Sequence, residues 1–576
     1  MSQGDAVIQM PSDDTRRAAF ALEQDAPPKG RGGITRLTVD VPAAHHSSDT
    51  PKPARWRTPE FLLYYVVFAF AVPWMIYVPV SLSSESHSNY NLYRHRLAPG
   101  WLFGRQVDNS DAQYRSFRSG LSALGALIAM FFALRYVYLR PILRVSRPSD
   151  NLHRLPFYLA FSLLMLAVLH GTSALKVLLI LTANYALARA SAGKAWAVAA
   201  TWIVNGAVLF ANERYSGYTF GSVHPALGSL DSWRGVYPRW HVSFNITMLR
   251  LVSFNVDYHW ACRRNGSLDS GAELSDKQRT TTFHPVEVYT YRNYLVYTLY
   301  APLYIAGPIM TFNDFMWQLA RPRAIAARNT VGYAGRFLAT LLTMEFILHF
   351  MYVVAIKDAH AWSGTSPAEL SMIGFWNLII VWLKLLLPWR FFRLWALMDG
   401  IDPPENMVRC MANNYSTLGF WRSWHRSYNL WVVRYIYIPL GGTKHLAVSS
   451  LLVFTFVALW HDLSFRLLAW GWLVTLFILP EITARKLLPP SKFGGHVWYR
   501  HVCAAGAVVN VLMMMAANLV GFAVGTDGMR YMAHEIAGSW GGLRFLFTAC
   551  ACLYVGVQVM FEYREEELRR GINRRC

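Results

Sequence analysis

Residues 446–482 read LAVSSLLVFTFVALWHDLSFRLLAWGWLVTLFILPEI, two apolar runs, 446–460 and 463–482, parted only by His461-Asp462 before the second run begins. An ionisable residue among hydrocarbon side chains is costly, so one that persists there faces protein or an aqueous gap and marks function. Upstream lies a second polar cluster, Phe420-Trp421-Arg422-Ser423-Trp424-His425-Arg426-Ser427-Tyr428-Asn429, followed by Arg434-Tyr435-Ile436-Tyr437-Ile438-Pro439-Leu440-Gly441-Gly442. Both stretches are read as parts of one constellation.

Outward from that centre the same texture repeats. Of 576 residues, 54% are hydrophobic and only 15% charged, a composition suited to many membrane spans rather than several soluble domains. Candidate spans fall at 61–80, 121–138, 157–171, 175–189, 195–211, 293–312, 337–356, 374–388, 446–460, 463–482, 503–524 and 543–561. A helix needs about 20 residues to cross a bilayer, so several of these are short. The expected fold is an all-α polytopic membrane protein, a bundle of roughly ten to thirteen transmembrane and re-entrant helices. Gly307-Pro308 and Pro302 interrupt the span at 293–312, which predicts a broken helix beside a cavity able to admit a lipid tail. Residues 246–258, mixing Met248, Leu249, Leu251, Val252 and Phe254 with Arg250 and Asp257, read equally as an interfacial amphipathic helix or as a helix packed on the protein. Lys384 is an isolated cation within a span, functional unless a carboxylate such as Glu345 neutralises it.

The organisation read from composition is a disordered N-terminal tail at 1–57, a transmembrane domain at 58–562 and a charged C-terminal tail at 563–576. The first 57 residues have no apolar core of a signal peptide, and His45-His46 within them reads as solvated coil rather than a metal site. Formal net charge is +21. Arg135, Arg140, Arg144, Arg147 and Arg154 follow the second span, and Lys52, Arg55 and Arg57 precede the first, which favours a cytosolic N-terminus. The loop between them also carries Arg94, Arg96, Arg105, Arg115 and Arg118. Such basicity without a groove-binding motif points to lipid headgroups and an anionic acyl donor, and not to nucleic acid. The six cysteines have neither zinc nor disulfide spacing and read as small buried hydrophobes or lipidation sites.

Several chemistries are excluded by missing motifs. There is no Gly-x-Ser-x-Gly elbow, no Walker loop, no His-x4-Asp, no Asp-His-His-Cys and no set of closely spaced histidine boxes. His496 and His501, the nearest approach to such a box, do not share a helix face. What survives is metal-free chemistry on a membrane-embedded histidine.

Phe420–His425 resembles the Phe-Trp-x-x-Trp-His element of the membrane-bound O-acyltransferase (MBOAT) superfamily, and Leu459-Trp460-His461 resembles its buried histidine. Three further stretches are similar to the glycerol-uptake protein branch, which also contains the Hedgehog acyltransferase-like proteins. They are Ile305-Ala306-Gly307-Pro308-Ile309-Met310-Thr311-Phe312-Asn313-Asp314, Cys410-Met411-Ala412-Asn413-Asn414-Tyr415-Ser416-Thr417, and Pro99–Arg105 with Asp108-Asn109-Ser110-Asp111. The similarity runs over roughly residues 60 to 560 and leaves both tails uncovered.

The resemblance implies an acyltransferase of the endoplasmic reticulum membrane. It would move a fatty acyl chain from acyl-CoA to a lipid hydroxyl, most specifically the sn-2 position of a lyso-glycosylphosphatidylinositol (lyso-GPI) anchor lipid. It also implies His461 as the catalytic histidine and His425 as the second polar position. An alcohol attacking a thioester must lose its proton to a base within hydrogen-bond reach, and apolar neighbours such as Val457, Ala458, Leu459, Leu463 and Phe465 keep an imidazole neutral for that task, provided Asp462 points away. His425 would orient the acceptor or support the developing oxyanion, or else hold an aromatic loop together. Arg422, Arg426 and Arg434 are candidates for phosphate contacts with coenzyme A or lipid, with snorkelling to headgroups as the plain alternative, and Asn429 is a candidate substrate contact. Aromatic residues of the cluster fit an acyl tunnel or an interfacial belt equally. No metal and no tightly bound cofactor are expected, with acyl-CoA as co-substrate. A glycerol/proton transporter and a catalytically silent regulator of acylation are the competing classes; retention of His461 speaks against the second.

Overall fold

The computed structural model describes residues 53–145, 148–264 and 274–572. Most of the expected N-terminal tail, with His45-His46, lies outside them, as do Arg147 and Cys576. Among the described residues nine helices are long and apolar enough to cross a membrane: Pro59–Leu82, Ala112–Val145, Leu152–His170, Ser173–Ser191, Ala327–Phe350, Pro367–Asp399, Phe465–Leu487, Val497–Ala523 and Trp540–Arg569. The two short strands described, Leu97–Pro99 and Gln106–Asp108, pair antiparallel in a loop. The protein is therefore an all-α polytopic membrane protein, as the apolar runs imply.

The helix Trp240–Arg263 decides between the two readings of residues 246–258. Residues 246–258 are not interfacial: from Thr247 to His259 every side chain is buried, and the helix packs against Ser173–Ser191, Ala197–Arg214 and Tyr291–Leu299. Several of its polar side chains find partners inside the bundle. Asn255 and Asn184 exchange amide hydrogen bonds at 3.0 Å. Asp257 accepts from Arg434 at 2.8 Å and from the Tyr435 hydroxyl at 2.9 Å.

The stretch 293–312 is broken, as Pro302 and Gly307-Pro308 predict. A short helix Tyr291–Leu299 gives way at Tyr300 to a single turn Ala301–Tyr304, the chain turns through Gly307-Pro308, and a new helix starts at Phe312. Nothing in hydrocarbon hydrogen-bonds a freed carbonyl, so a break at this depth needs protein groups to satisfy it. The guanidinium of Arg250, buried in the central helix, does so, donating to the carbonyls of Thr298 and Leu303. The Tyr297 hydroxyl donates to the carbonyl of Met310 at 2.7 Å. Residues 293–304 are all buried, so the break is enclosed by protein.

The helix Pro367–Asp399 shows how local sequence sets its ends. Ser366 and Glu369 form a reciprocal capping box around Pro367 at the first position. At the other end Gly400, at φ 92°, closes the helix, with its N–H on Leu397 O and that of Ile401 on Ala396 O, the double bond of a Schellman turn. Within the helix Lys384 reaches Asp111 at 2.6 Å, so its charge is neutralised structurally, and by Asp111 rather than by Glu345. Glu345 instead accepts from Trp101, Tyr114 and Arg118.

The boundary drawn at 562 is not a structural one. The last helix continues to Arg569, and Glu567 within the expected charged tail is buried, taking both terminal nitrogens of Arg409 at 2.8 and 3.2 Å. That pair ties the 400–416 connection, which leads to the histidine cluster, to the end of the chain. Removing one member of a buried pair strands the other, at a cost of about 3–5 kcal/mol, whereas replacing both with apolar residues is far milder. Arg409→Met should therefore lower the unfolding temperature in detergent markedly, and Arg409→Met with Glu567→Met should recover most of the loss. A double variant no more stable than the single one would show that the pair does not carry the attachment.

Candidate active site

His461 is the last residue of the helix Leu446–His461, whose 16 residues rise about 24 Å and so fall short of a hydrocarbon core. The helix stops because Asp462 adopts an extended backbone, φ −171° and ψ 144°, and Ser464 then caps the helix Phe465–Leu487 by accepting from the Leu467 N–H. The two helices run back against each other closely enough that a Cβ on Gly471 would lie 2.8 Å from the Phe454 carbonyl oxygen.

His461 is exposed on the protein, at the point where its helix ends. Its ring nitrogens have no hydrogen-bond partner among the described residues. Asp462 is exposed and makes no ion pair with His461 among the described residues.

What fixes the ring is aromatic packing. Trp460 lies against His461 with centroids 4.9 Å apart and stacks on Tyr428 at 4.7 Å. The Trp460 indole N–H donates to the Asn245 carbonyl at 3.0 Å, and the Asn245 amide returns a bond to the Trp460 carbonyl at 3.5 Å. This clasp joins the end of the histidine helix to the central helix.

His425 sits between the helices Thr417–Ser423 and Arg426–Val432, in the left-handed region at φ 45° and ψ 48°. A non-glycine residue there is strained by on the order of 1 kcal/mol or more and persists only where its surroundings hold it. Three groups do so. The Arg426 N–H donates to Asn406 O at 2.8 Å, the Asn429 N–H to His425 O at 2.8 Å, and the imidazole Nδ1 lies 3.2 Å from the Asn406 amide nitrogen. The ring is flanked by Trp424 and Trp389, with centroids 5.4 and 5.5 Å away. Tyr428, one helical turn beyond His425, stacks on Trp460, which lies against His461, so the segments carrying the two histidines pack together although they are far apart in the chain.

The preceding helix is seated by Glu481, a buried carboxylate that accepts from the Ser416 hydroxyl at 2.5 Å and the Thr417 N–H at 2.8 Å. A carboxylate suits a helix N-terminus, where unpaired N–H groups point outward. Glu481, Asn406, Asn245 and Asp257 all shape the site and were not singled out from the sequence. Glu481 had a usable signal, as a lone carboxylate at the end of an apolar run; Asn406 and Asn245 had none.

The candidate substrate contacts divide. Arg422 is exposed, Arg426 and Asn429 are half-buried, and none of their side chains makes a hydrogen bond or ion pair among the described residues, so all three remain available to a ligand. Arg434 is not. It is bound to Asp257 at 2.8 Å, with its guanidinium over the Trp260 ring at 5.0 Å, and a π-helical turn over Val433–Tyr437 lets the adjacent Tyr435 reach the same carboxylate. It anchors the segment to the central helix, and the phosphate role expected of it is corrected to a structural one. No group of three or more histidines, cysteines or acids that would hold a metal occurs among the described residues.

Residues 231–526 match the family model of the membrane-bound O-acyltransferases. The chain is 46% identical to the membrane-bound O-acyltransferase GUP1 of Saccharomyces cerevisiae over 92% of its own length and 95% of that protein. It is 41% identical to its namesake from Schizosaccharomyces pombe over 94% and 96% of the two chains. A more distant likeness, 29% identity over 34% of this chain and 40% of the other, connects it to the protein-cysteine N-palmitoyltransferase HHAT of Mus musculus. With a helical bundle that brings His461 and His425 together and with relatives matched over nearly their whole length, this chain belongs to the membrane-bound O-acyltransferase family and is an acyltransferase.

Proposed function

We propose that the protein transfers a fatty acyl chain from acyl-CoA to a lipid hydroxyl in the endoplasmic reticulum membrane, and that the acceptor is the sn-2 hydroxyl of a lyso-GPI anchor lipid. The observation that carries the chemistry is His461, an exposed imidazole at the end of an apolar helix with no hydrogen-bond partner among the described residues. The acceptor rests on the branch that the motifs resemble and on near-full-length similarity to the yeast proteins.

In this reading His461 takes the proton from the acceptor hydroxyl as its oxygen attacks the thioester carbonyl. The new C–O bond forms, the C–S bond breaks, and the imidazolium returns the proton to the departing coenzyme A sulfur. His425 acts on the carbonyl oxygen as its charge develops. Arg422 and Arg426 offer guanidinium groups to donor phosphates, and Asn429 offers a neutral amide beside them.

The test is purified protein with labelled acyl-CoA and a panel of acceptors, including lyso-GPI, lysophospholipids and an N-terminal cysteine peptide. Ester formation on lyso-GPI is the expected result; transfer only to another acceptor would overturn the acceptor assignment. His461→Ala should lower kcat by about 10²–10⁴, the usual worth of a positioned base. Full activity in that variant would remove His461 from the reaction.

The arginines give a second prediction. Arg422→Ala and Arg426→Ala should raise KM for acyl-CoA, with a penalty that shrinks as salt is added, because exposed charges are screened. Arg434→Ala should lower thermal stability, by leaving buried Asp257 without its cation. A rise in KM without loss of stability for Arg434→Ala would reverse the division drawn above.

A further inference from the structure

The hydrogen bonds around Asn406 determine which ring nitrogen of His425 carries the proton. Asn406 is fully buried. Its amide oxygen receives the Ser427 N–H at 3.1 Å and the Ser427 hydroxyl at 2.6 Å. A backbone N–H only donates, so the atom facing it must be the oxygen, and the orientation of the amide is fixed by that contact. The Ser427 hydroxyl is itself held by the Ile309 N–H at 2.9 Å, which leaves its proton for Asn406. The amide nitrogen of Asn406 therefore points at His425 Nδ1, 3.2 Å away, and that nitrogen also only donates. A neutral His425 must accept at Nδ1 and keep its hydrogen on Nε2.

We infer that Asn406 is a positioning residue that locks His425 as the Nε2–H tautomer, so that His425 serves the reaction as a hydrogen-bond donor and His461 alone serves as the base. The assignment rests on the proposed function, in which His425 acts on the acyl donor. It makes the roles of the two histidines unequal for a structural reason: His425 has Nδ1 engaged and Nε2–H to give, while His461 has no partner among the described residues that fixes its tautomer. The lock also reaches the broken helix, since Ile309 follows Gly307-Pro308 directly and its N–H is the outermost link of the chain Ile309, Ser427, Asn406, His425.

Asn406→Asp tests this with almost no change in shape. A carboxylate still accepts both bonds from Ser427, but it presents an acceptor to Nδ1 and draws the proton there, leaving Nε2 as a lone pair. The full-length protein in lipid nanodiscs, labelled at the imidazole nitrogens, gives the tautomer directly by solid-state nitrogen NMR, with the His425 signals identified by their loss in His425→Gln. The expected wild-type spectrum shows His425 bare at Nδ1 and protonated at Nε2, and Asn406→Asp reverses the pattern. Its kcat for acyl transfer should fall about a hundredfold, the scale of losing one oxyanion donor, with KM for acyl-CoA little changed. A wild-type spectrum with the proton on Nδ1 overturns the lock, and so does undiminished kcat in Asn406→Asp. If the variant does not fold, the wild-type spectrum still decides. Because that spectrum requires no activity, a failure of acyl transfer by wild type would count against the proposed function and leave the tautomer assignment to stand or fall separately.

Discussion

The buried guanidinium of Arg250 holds the carbonyls of Thr298 and Leu303, and the site is built on what that contact permits. A chain that interrupts a helix within hydrocarbon exposes carbonyls that no solvent will satisfy, at several kcal/mol each. Here one side chain from the central helix takes the Thr298 carbonyl and adds a second bond to that of Leu303, which also accepts the Gly307 N–H. The segment beyond can then leave helical geometry at Gly307-Pro308, where a Cβ on Gly307 would stand 2.5 Å from Leu303 Cα. The Ile309 N–H freed by the turn goes to Ser427, and through it the broken helix reaches the loop of His425. A cation with no ion-pair partner among the described residues is thus a scaffold for polar backbone.

Three ion pairs do comparable work. Arg434 with Asp257, Lys384 with Asp111 and Arg409 with Glu567 each join segments distant in sequence. Each pair costs desolvation and returns direction, fixing which face of a helix meets which loop. Around the two histidines the pattern changes: Arg422, Arg426 and Asn429 have no such partners among the described residues. The contrast between consumed and unconsumed polar groups, within one short stretch, separates the framework from the surface offered to substrate.

How much of this was legible in the sequence depended on whether a residue's meaning was local. The apolar runs and the proline-glycine interruption were local, and the helices and the break appear where they imply. His461 was legible because an ionisable residue between two hydrocarbon runs is too costly to keep without a use. The fate of residues 246–258 was not, because an interfacial helix and a central one lined by satisfied polar groups share the same mixture of side chains; only the partners Asn184, Arg434 and Tyr435 distinguish them. Arg434 was misread for the same reason, an arginine beside aromatics being equally suited to a phosphate or to a carboxylate on another helix. Asn406 carried no mark at all, since its role lies in the direction of one amide.

The position of His461 at the very end of its helix carries one more physical consequence. The last carbonyls of a helix lack internal partners and present partial negative charge, which favours a cation within the final turn by about 0.3–1 kcal/mol, and up to ~2 kcal/mol when partly buried. A base mid-helix would have to accept a proton among apolar side chains with nothing to receive the new charge. At the terminus, the imidazolium formed as the alcohol gives up its proton meets the carbonyl end of Leu446–His461, and the extended backbone at Asp462 turns the chain away before another helical turn can bury it. On the proposed mechanism, then, the short length of this helix is itself functional: sixteen residues are too few to span the bilayer, and they stop where an imidazole is stabilised once charged.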